Sequence, residues 1–268
     1  MKKEKISPLR LKYIKKQRFN AFAVHGTRVA ALFAFIALWE LFARQGVIDA
    51  FLFSSPSRII KTIKNLVVSG EIAGHIFTTV YETVAGFIIA TALGSAIALA
   101  LWWSEFLRKT AEPYVVVLNS LPKIALGPII IVWFGAGKKS IIFMAVIITV
   151  IVTVITMLNG FLATDEGKLK LMRSLGASKF TVLRKLVIPY ALPTFTACMK
   201  INVGLSWIGS IMGEYLTSKE GIGYLIVYGG QVFKLDLVMA STAILCVLAA
   251  GMYLIIAVIE KFALKWQR

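Results

Sequence analysis

The sequence predicts an all-α integral membrane protein with six transmembrane helices and a cytoplasmic helical hairpin between the fourth and the fifth. Three observations predict it. Of the 268 residues, 58% are hydrophobic and the mean hydropathy is +0.80, too apolar for a soluble domain of this size. Apolar stretches near the length of a bilayer crossing recur six times along the chain. Finally, 20 of the 30 Lys and Arg residues fall in the N-terminal arm, two alternate connections and the C-terminus, whereas the three opposite loops hold 7. By the positive-inside rule both termini and the hairpin are cytoplasmic. The formal charge of +17 therefore reports orientation in a membrane rather than a nucleic-acid partner.

Residues 1–28 carry nine Lys or Arg against one Glu and lack a small-residue cleavage site beyond, so they read as a retained basic cytoplasmic arm. Residues 29–268 form a single transmembrane domain. Its first span lies around Val29 to Ala43, an apolar run short for a crossing that is expected to borrow flanking residues on both sides; Glu40 in its last turn is read as solvated at the interface, with a cap against a neighbour as the other reading. Residues 54–70 have the marks of an outer amphipathic helix: Ser55 as cap, Pro56 at the first position, and Ile59, Ile60, Ile63 and Val67 on one face. The second span, about Ile76 to Trp103, repeats Gly86, Ala90, Gly94 and Ala98 every four residues, which lets another helix approach closely and puts this span at the centre of the bundle.

The third span, Tyr114 to Phe134, is interrupted by Pro122, Lys123, Gly127 and Pro128. Broken, charged segments persist in membranes beside protein or a water-filled cavity, so these four residues are candidates for a solute pathway. A kinked packing helix with a snorkelling lysine is the other reading. Gly135 to Lys139 make a tight outer loop, and the fourth span, Ser140 to Leu158, is uncharged. The fifth, Tyr190 to Met212, bears Lys200, Asn202 and Ser206, further pathway candidates on a polar seam. Gly213 to Asp236 is glycine-rich and reads as an outer re-entrant segment or cap, before the last span, Leu237 to Ile259. Cys198 and Cys246 lie within apolar segments and are expected to be buried packing residues.

Between the fourth and fifth spans, residues 164–189 form a polar, basic island. Thr164 can cap a first helix, Glu166 and Lys170 are four apart in the favourable order, and Leu169, Met172 and Leu175 make an apolar edge that needs a partner. Gly176 reverses the chain, and Ser178 can cap a second helix running to Pro189. No catalytic constellation and no zinc spacing can be assembled from the chain, which excludes an enzyme with a clustered nucleophile, metal or acid–base set.

At this island the chain resembles the membrane-spanning permease subunits of binding-protein-dependent ABC importers. Their motif is Glu-Ala-Ala, three residues, Gly, nine residues, then Ile-x-Leu-Pro. Here Lys170-Leu171-Met172, Arg173-Ser174-Leu175, Gly176, nine residues from Ala177 to Lys185, and Leu186-Val187-Ile188-Pro189 occupy those places, with Lys170 reversing the charge of the family's Glu. Trp39-Glu40, Ser55-Pro56-Ser57, Leu121-Pro122 through Pro128, Val132-Trp133-Phe134-Gly135 and Gly221-Ile222-Gly223-Tyr224 are similar to the nitrate, sulfonate and taurine branch of those permeases.

The resemblance implies a transport subunit in the cell membrane, not an enzyme. It implies a homodimer with a second permease copy, two cytoplasmic ATP-binding subunits and an extracytoplasmic solute-binding protein, all amid membrane lipids. Lys170, Leu171, Met172, Leu175, Gly176, Ala177, Ser178 and Pro189 would form the coupling region on which an ATPase docks. ATP and Mg belong to that partner, since this chain has no G-x-x-x-x-G-K-[ST] motif. The branch also includes importers implicated in uptake of thiamine pyrimidines and riboflavin. An ion- or proton-coupled secondary transporter is the alternative; it would use intramembrane carboxylates, and no acidic residue sits at the centre of the third to sixth spans.

Overall fold

The computed structural model describes residues 8–265; the first residues of the basic arm and Arg268 lie outside them. Every regular element is helical among the described residues: α1 (Pro8–Arg44), α2 (Ala50–Phe53), α3 (Pro56–Val68), α4 (Glu71–Trp103), α5 (Glu105–Ser120), α6 (Gly127–Phe134), α7 (Lys138–Leu162), α8 (Glu166–Ser174), α9 (Lys179–Val182), α10 (Ile188–Thr217), α11 (Ile222–Gln231) and α12 (Leu235–Ala263). Five helical stretches are long and apolar enough to cross a membrane, and α5 with α6 makes a sixth, broken by an 86° bend.

Helices α4, α7 and α10 form the core of the bundle, because small residues let their backbones meet. A Cβ added at Gly86 would sit 2.5 Å from that of Ala145, and one at Gly94 would sit 2.6 Å from Cβ of Thr153, while Ala90 and Ala98 are wholly buried. The stripe read from sequence is thus the seat of α7. Gly209 and Gly213 bring α10 against Ala145 and Ile141 on the same helix. Phe87, Val203, Trp207 and Ile256 then close α12 onto α4 and α10.

The ends of the elements depart from the sequence reading in several places. The first span takes in flanking residues as expected, its apolar part running from Phe22 to Arg44, but it belongs to one helix that starts at Pro8. Glu40 follows the less favoured of its two readings, a cap against a neighbour: it accepts a hydrogen bond from the backbone N–H of Ser57 at 3.0 Å in the first turn of α3 and pairs with Arg44 at 2.7 Å. The fifth span extends beyond both expected ends, as a helical stretch from Lys179 to Thr217. Of the segment 213–236, expected to be an outer re-entrant segment or cap, the first residues finish α10 and the rest is built around α11. Cys198 is buried as expected, but Cys246 is exposed on α12.

Candidate functional site

The hairpin is built from local bonds. Asp165, rather than Thr164, is the cap of α8: its Oδ1 accepts from the N–H of Lys168 at 2.8 Å. Thr164 is buried and its hydroxyl donates back to the carbonyl of Phe161 at 2.9 Å. At the other end the N–H of Ala177 reaches the carbonyl of Met172 at 3.0 Å and that of Gly176 reaches Arg173 at 2.9 Å. This is a Schellman closure, and it sets Gly176 at φ +76°, a region that costs L-residues. Ser178 caps α9, its hydroxyl oxygen accepting from Thr181 N–H at 3.3 Å. Leu183 to Val187 then form a π turn that leads without a break into α10, so the second helix does not stop at Pro189. Widening the turn just ahead of the proline lets the helix carry on where a regular ladder would clash.

The apolar edge of the hairpin divides in two. Leu169 and Met172 pack inward against a core of Met157, Phe161, Val182, Leu183 and Val187. Leu171 and Leu175 point away from the body, 60% and 75% exposed. The inward pair fixes the hairpin on the bundle and the outward pair leaves apolar surface without a partner in this chain. Lys170 and Ser178 are exposed beside them, Lys170 at 3.7 Å from Glu166 as its spacing predicts, and Ala177 is half-buried.

The pathway candidates fall into separate groups. Pro122, Lys123 and Pro128 lie at the bend between α5 and α6, with Lys123 Nζ donating to the carbonyl of Asn119 at 3.0 Å. Gly127 is buried there, against Leu216 and Met144. Asn202 and Ser206 are fully buried between α4, α7 and α10. Asn202 donates to the hydroxyls of Thr91 at 2.9 Å and Thr153 at 3.0 Å, and Ser206 lies 3.3 Å from the Thr149 hydroxyl. Lys200 is on another side of α10, hydrogen-bonded to Glu260 and 6.0 Å from the Tyr253 ring centroid. The fifth-span residues therefore do not line one surface together.

Two features carried no signal in the spacing of the sequence. Glu260, placed just past the last span, belongs to the final turn of α12 and holds Lys200. At the end of the bundle opposite the hairpin, the first three N–H groups around α11 are all received by other elements. Gly221 donates to Nδ1 of His75 at 2.9 Å, Ile222 to the hydroxyl of Thr79 at 2.7 Å, and Gly223 to the carboxylate of Glu214 at 2.6 Å. The free donors of a helix N-terminus are thereby satisfied by α4 and α10.

Residues 86–265 match the family described as the binding-protein-dependent transport system inner membrane component. The chain is 27% identical over 232 residues, 87% of its own length and 84% of the relative's, to SsuC of Bacillus subtilis, a permease assigned to aliphatic sulfonates transport. It is 28% identical over 233 residues, 87% of this chain and 92% of the other, to the formylaminopyrimidine transport permease protein ThiX of Halalkalibacterium halodurans. With the riboflavin transport system permease protein RibX of Chloroflexus aurantiacus it shares 22% over 236 residues, 88% of each chain. Among solved structures, the fold is similar to a chain of the MetNI methionine ABC transporter in an inward-facing conformation, with a TM-score of 0.63 at 19% identity over 72% of this chain and 95% of that one. It is also similar to a bacterial ABC transporter involved in import of the polysaccharide alginate, with a TM-score of 0.64 at 13% identity over 91% and 98%.

Proposed function

This chain belongs to the family of binding-protein-dependent transport system inner membrane components, and from that premise we propose that its α8–α9 hairpin is the surface on which a cytoplasmic ATP-binding subunit docks. It is a multi-pass permease subunit of an ABC importer, of the sulfonate and nitrate type. The observation that carries the docking reading is the outward pair Leu171 and Leu175, held on a hairpin closed at Gly176 by its own backbone bonds. Lys170, Met172, Ala177, Ser178 and Pro189 frame it: the first and fourth as polar contacts, the others as its seat on the body.

In this reading both termini and the hairpin are cytoplasmic, two ATPase subunits engage two permease copies, and ATP and Mg are bound by the ATPases. A solute-binding protein delivers cargo to the opposite face. Closure of the ATPase pair moves the hairpins, and the spans rock between inward-facing and outward-facing states around a passage beside the broken third span, where Pro122, Lys123, Gly127 and Pro128 lie. The buried Asn202 and Ser206 hold the moving helices to one another, and Lys200 braces α10 on α12. The cargo is a small anionic or heteroaromatic solute: an aliphatic sulfonate, a thiamine pyrimidine or riboflavin, in keeping with the relatives' names for sulfonate, formylaminopyrimidine and riboflavin transport, or nitrate or taurine, as the branch resemblance implies. Copurification of an ATPase subunit with the tagged chain, with cargo-stimulated hydrolysis in proteoliposomes, tests the assignment; a chain that supports uptake with no ATPase bound would overturn it.

A further inference from the structure

A cavity of about 470 Å³ lies under the inner edge of the hairpin, where the end of α4, the start of α5 and the end of α7 meet α8 and α9. Leu169 of the inward pair lines it and the outward Leu171 and Leu175 do not, so it is separate from the surface proposed for docking. Its walls carry three cations, Arg108, Arg173 and Lys179, against one carboxylate, Glu105. That carboxylate is already held at 2.9 Å by Lys109, which is not part of the lining. Arg173 and Lys179 have no carboxylate partner among the described residues. Lys179 is kept at the cavity by Trp102 and Trp103, its Nζ 5.9 Å and 5.3 Å from their ring centroids, and by the Trp103 carbonyl, to which it donates. Tryptophans at the end of a span mark headgroup depth.

An apolar slot continues from this basic end. A second cavity, of about 240 Å³, shares Arg108 and Leu162 with the first and is lined mainly by aliphatic side chains of α4, α5 and α7 such as Leu101, Val115 and Ile155, with Glu112 and Asn159 as its further polar groups. Cations at one end and hydrocarbon along the other match an amphiphile; a free anion or an acidic protein side chain would leave the slot unused. We propose that the joined cavities hold an anionic phospholipid of the leaflet on the hairpin's side, its phosphate between Arg108, Arg173 and Lys179 and one acyl chain along the slot. Arginine forks suit phosphate oxygens, and basic pockets between spans at this depth suit anionic headgroups. Because Arg108 stands on α5, Arg173 on α8 and Lys179 on α9, one phosphate ties both limbs of the hairpin to the bundle. The site is independent of the cargo and of the partner that meets the outward edge.

Quenching of tryptophan fluorescence in the full-length chain, reconstituted in phosphatidylcholine vesicles, tests this. Phosphatidylglycerol brominated on its acyl chains is expected to quench more than brominated phosphatidylcholine at the same mole fraction, and the excess should saturate. Unbrominated phosphatidylglycerol should reverse it and inorganic phosphate should not. Trp102→Phe with Trp103→Phe should remove the excess, which places the lipid. Arg108→Gln with Arg173→Gln should raise the phosphatidylglycerol needed for half of it by roughly tenfold. Arg184→Gln with Lys185→Gln, exposed charges that line neither cavity, should leave it near the parent's value. Equal quenching by the two lipids, persistence of the excess without Trp102 and Trp103, or equal loss in the two paired charge variants would overturn the proposal. So would reversal by inorganic phosphate, which leaves an anion site only, or by a bound ATPase subunit, which assigns the cations to that partner. Should the Arg108 and Arg173 variant fail to fold, the competition in the parent and the tryptophan variant decide.

Discussion

The guanidinium of Arg58 donates through Nε at 3.0 Å and Nη2 at 2.7 Å to one carboxylate oxygen of Asp236, while the other oxygen accepts from the hydroxyl of Ser54 at 2.7 Å. One acidic side chain in the first turn of α12 thus gathers the segment before α3 and α3 itself. Asp236→Asn keeps the shape and removes the charge. Because both partners are partly exposed, the pair is worth roughly 0–1 kcal/mol, so Tm is expected to fall only slightly. The larger readout is labelling at a cysteine placed at Ser57, which should become faster as α3 loosens.

Gly176→Val tests the hairpin. Nothing lies within 4 Å of a Cβ at that position, so the cost comes from the backbone angle alone, about 1–3 kcal/mol. The variant is expected to reach the membrane with all spans intact and to lose coupling between ATP hydrolysis and transport; Gly176→Asn, which tolerates the left-handed region better, should lose less. Copurification and stimulated hydrolysis measure both. Parent-like coupling in the Val variant would leave the hairpin a mere connector.

Lys200 and Lys123 are expected to separate under the same change. Lys200→Met strands Glu260 in a partly buried place and should destabilise by roughly 1–3 kcal/mol, with Glu260→Gln added to it restoring much of the loss. Lys123→Met removes a side chain bonded only to the carbonyl of Asn119 at the bend, so Tm should hold while transport falls. Thermal unfolding in detergent and uptake in vesicles report the two. Normal uptake by Lys123→Met would take that residue out of the passage.

Orientation has its own test. In a background with Cys198 and Cys246 replaced, cysteines at Ser57 and Lys219 should react with an impermeant reagent from outside, and one at Ser178 only after the inner face is opened. Outside labelling at Ser178 would remove the hairpin from the compartment that contains ATP.

The features legible in the sequence were those written in a repeat or a breaker. The four-residue stripe on α4, the broken third span and the Gly176 turn each depend on a backbone property of glycine or proline, and the structure uses them as such. What stayed hidden depends on which element lies opposite. Thr164 and Asp165 are both good caps on paper; the choice fell to Asp165 because Thr164 is buried against Phe161. Pro189 reads as a terminator, yet a π turn absorbs it. Glycine-rich sequence from Gly213 reads as the start of a re-entrant segment or cap, yet Gly213 belongs to α10 and lets it touch Ile141. Lys200 and Glu260 are sixty residues apart, and no spacing rule pairs them.

The helical stretch that leaves the Gly176 turn at Lys179 runs for 39 residues to Thr217 and ends one short loop from Gly221. At about 1.5 Å per residue it is some 58 Å long, more than the thickness of a bilayer. In the docking role proposed above for the hairpin, a displacement at one water-facing end is carried by this single piece of backbone, past the close approaches of Gly209 and Gly213 to α7, to the α11 end; the two faces of the membrane are then geared together as by a lever.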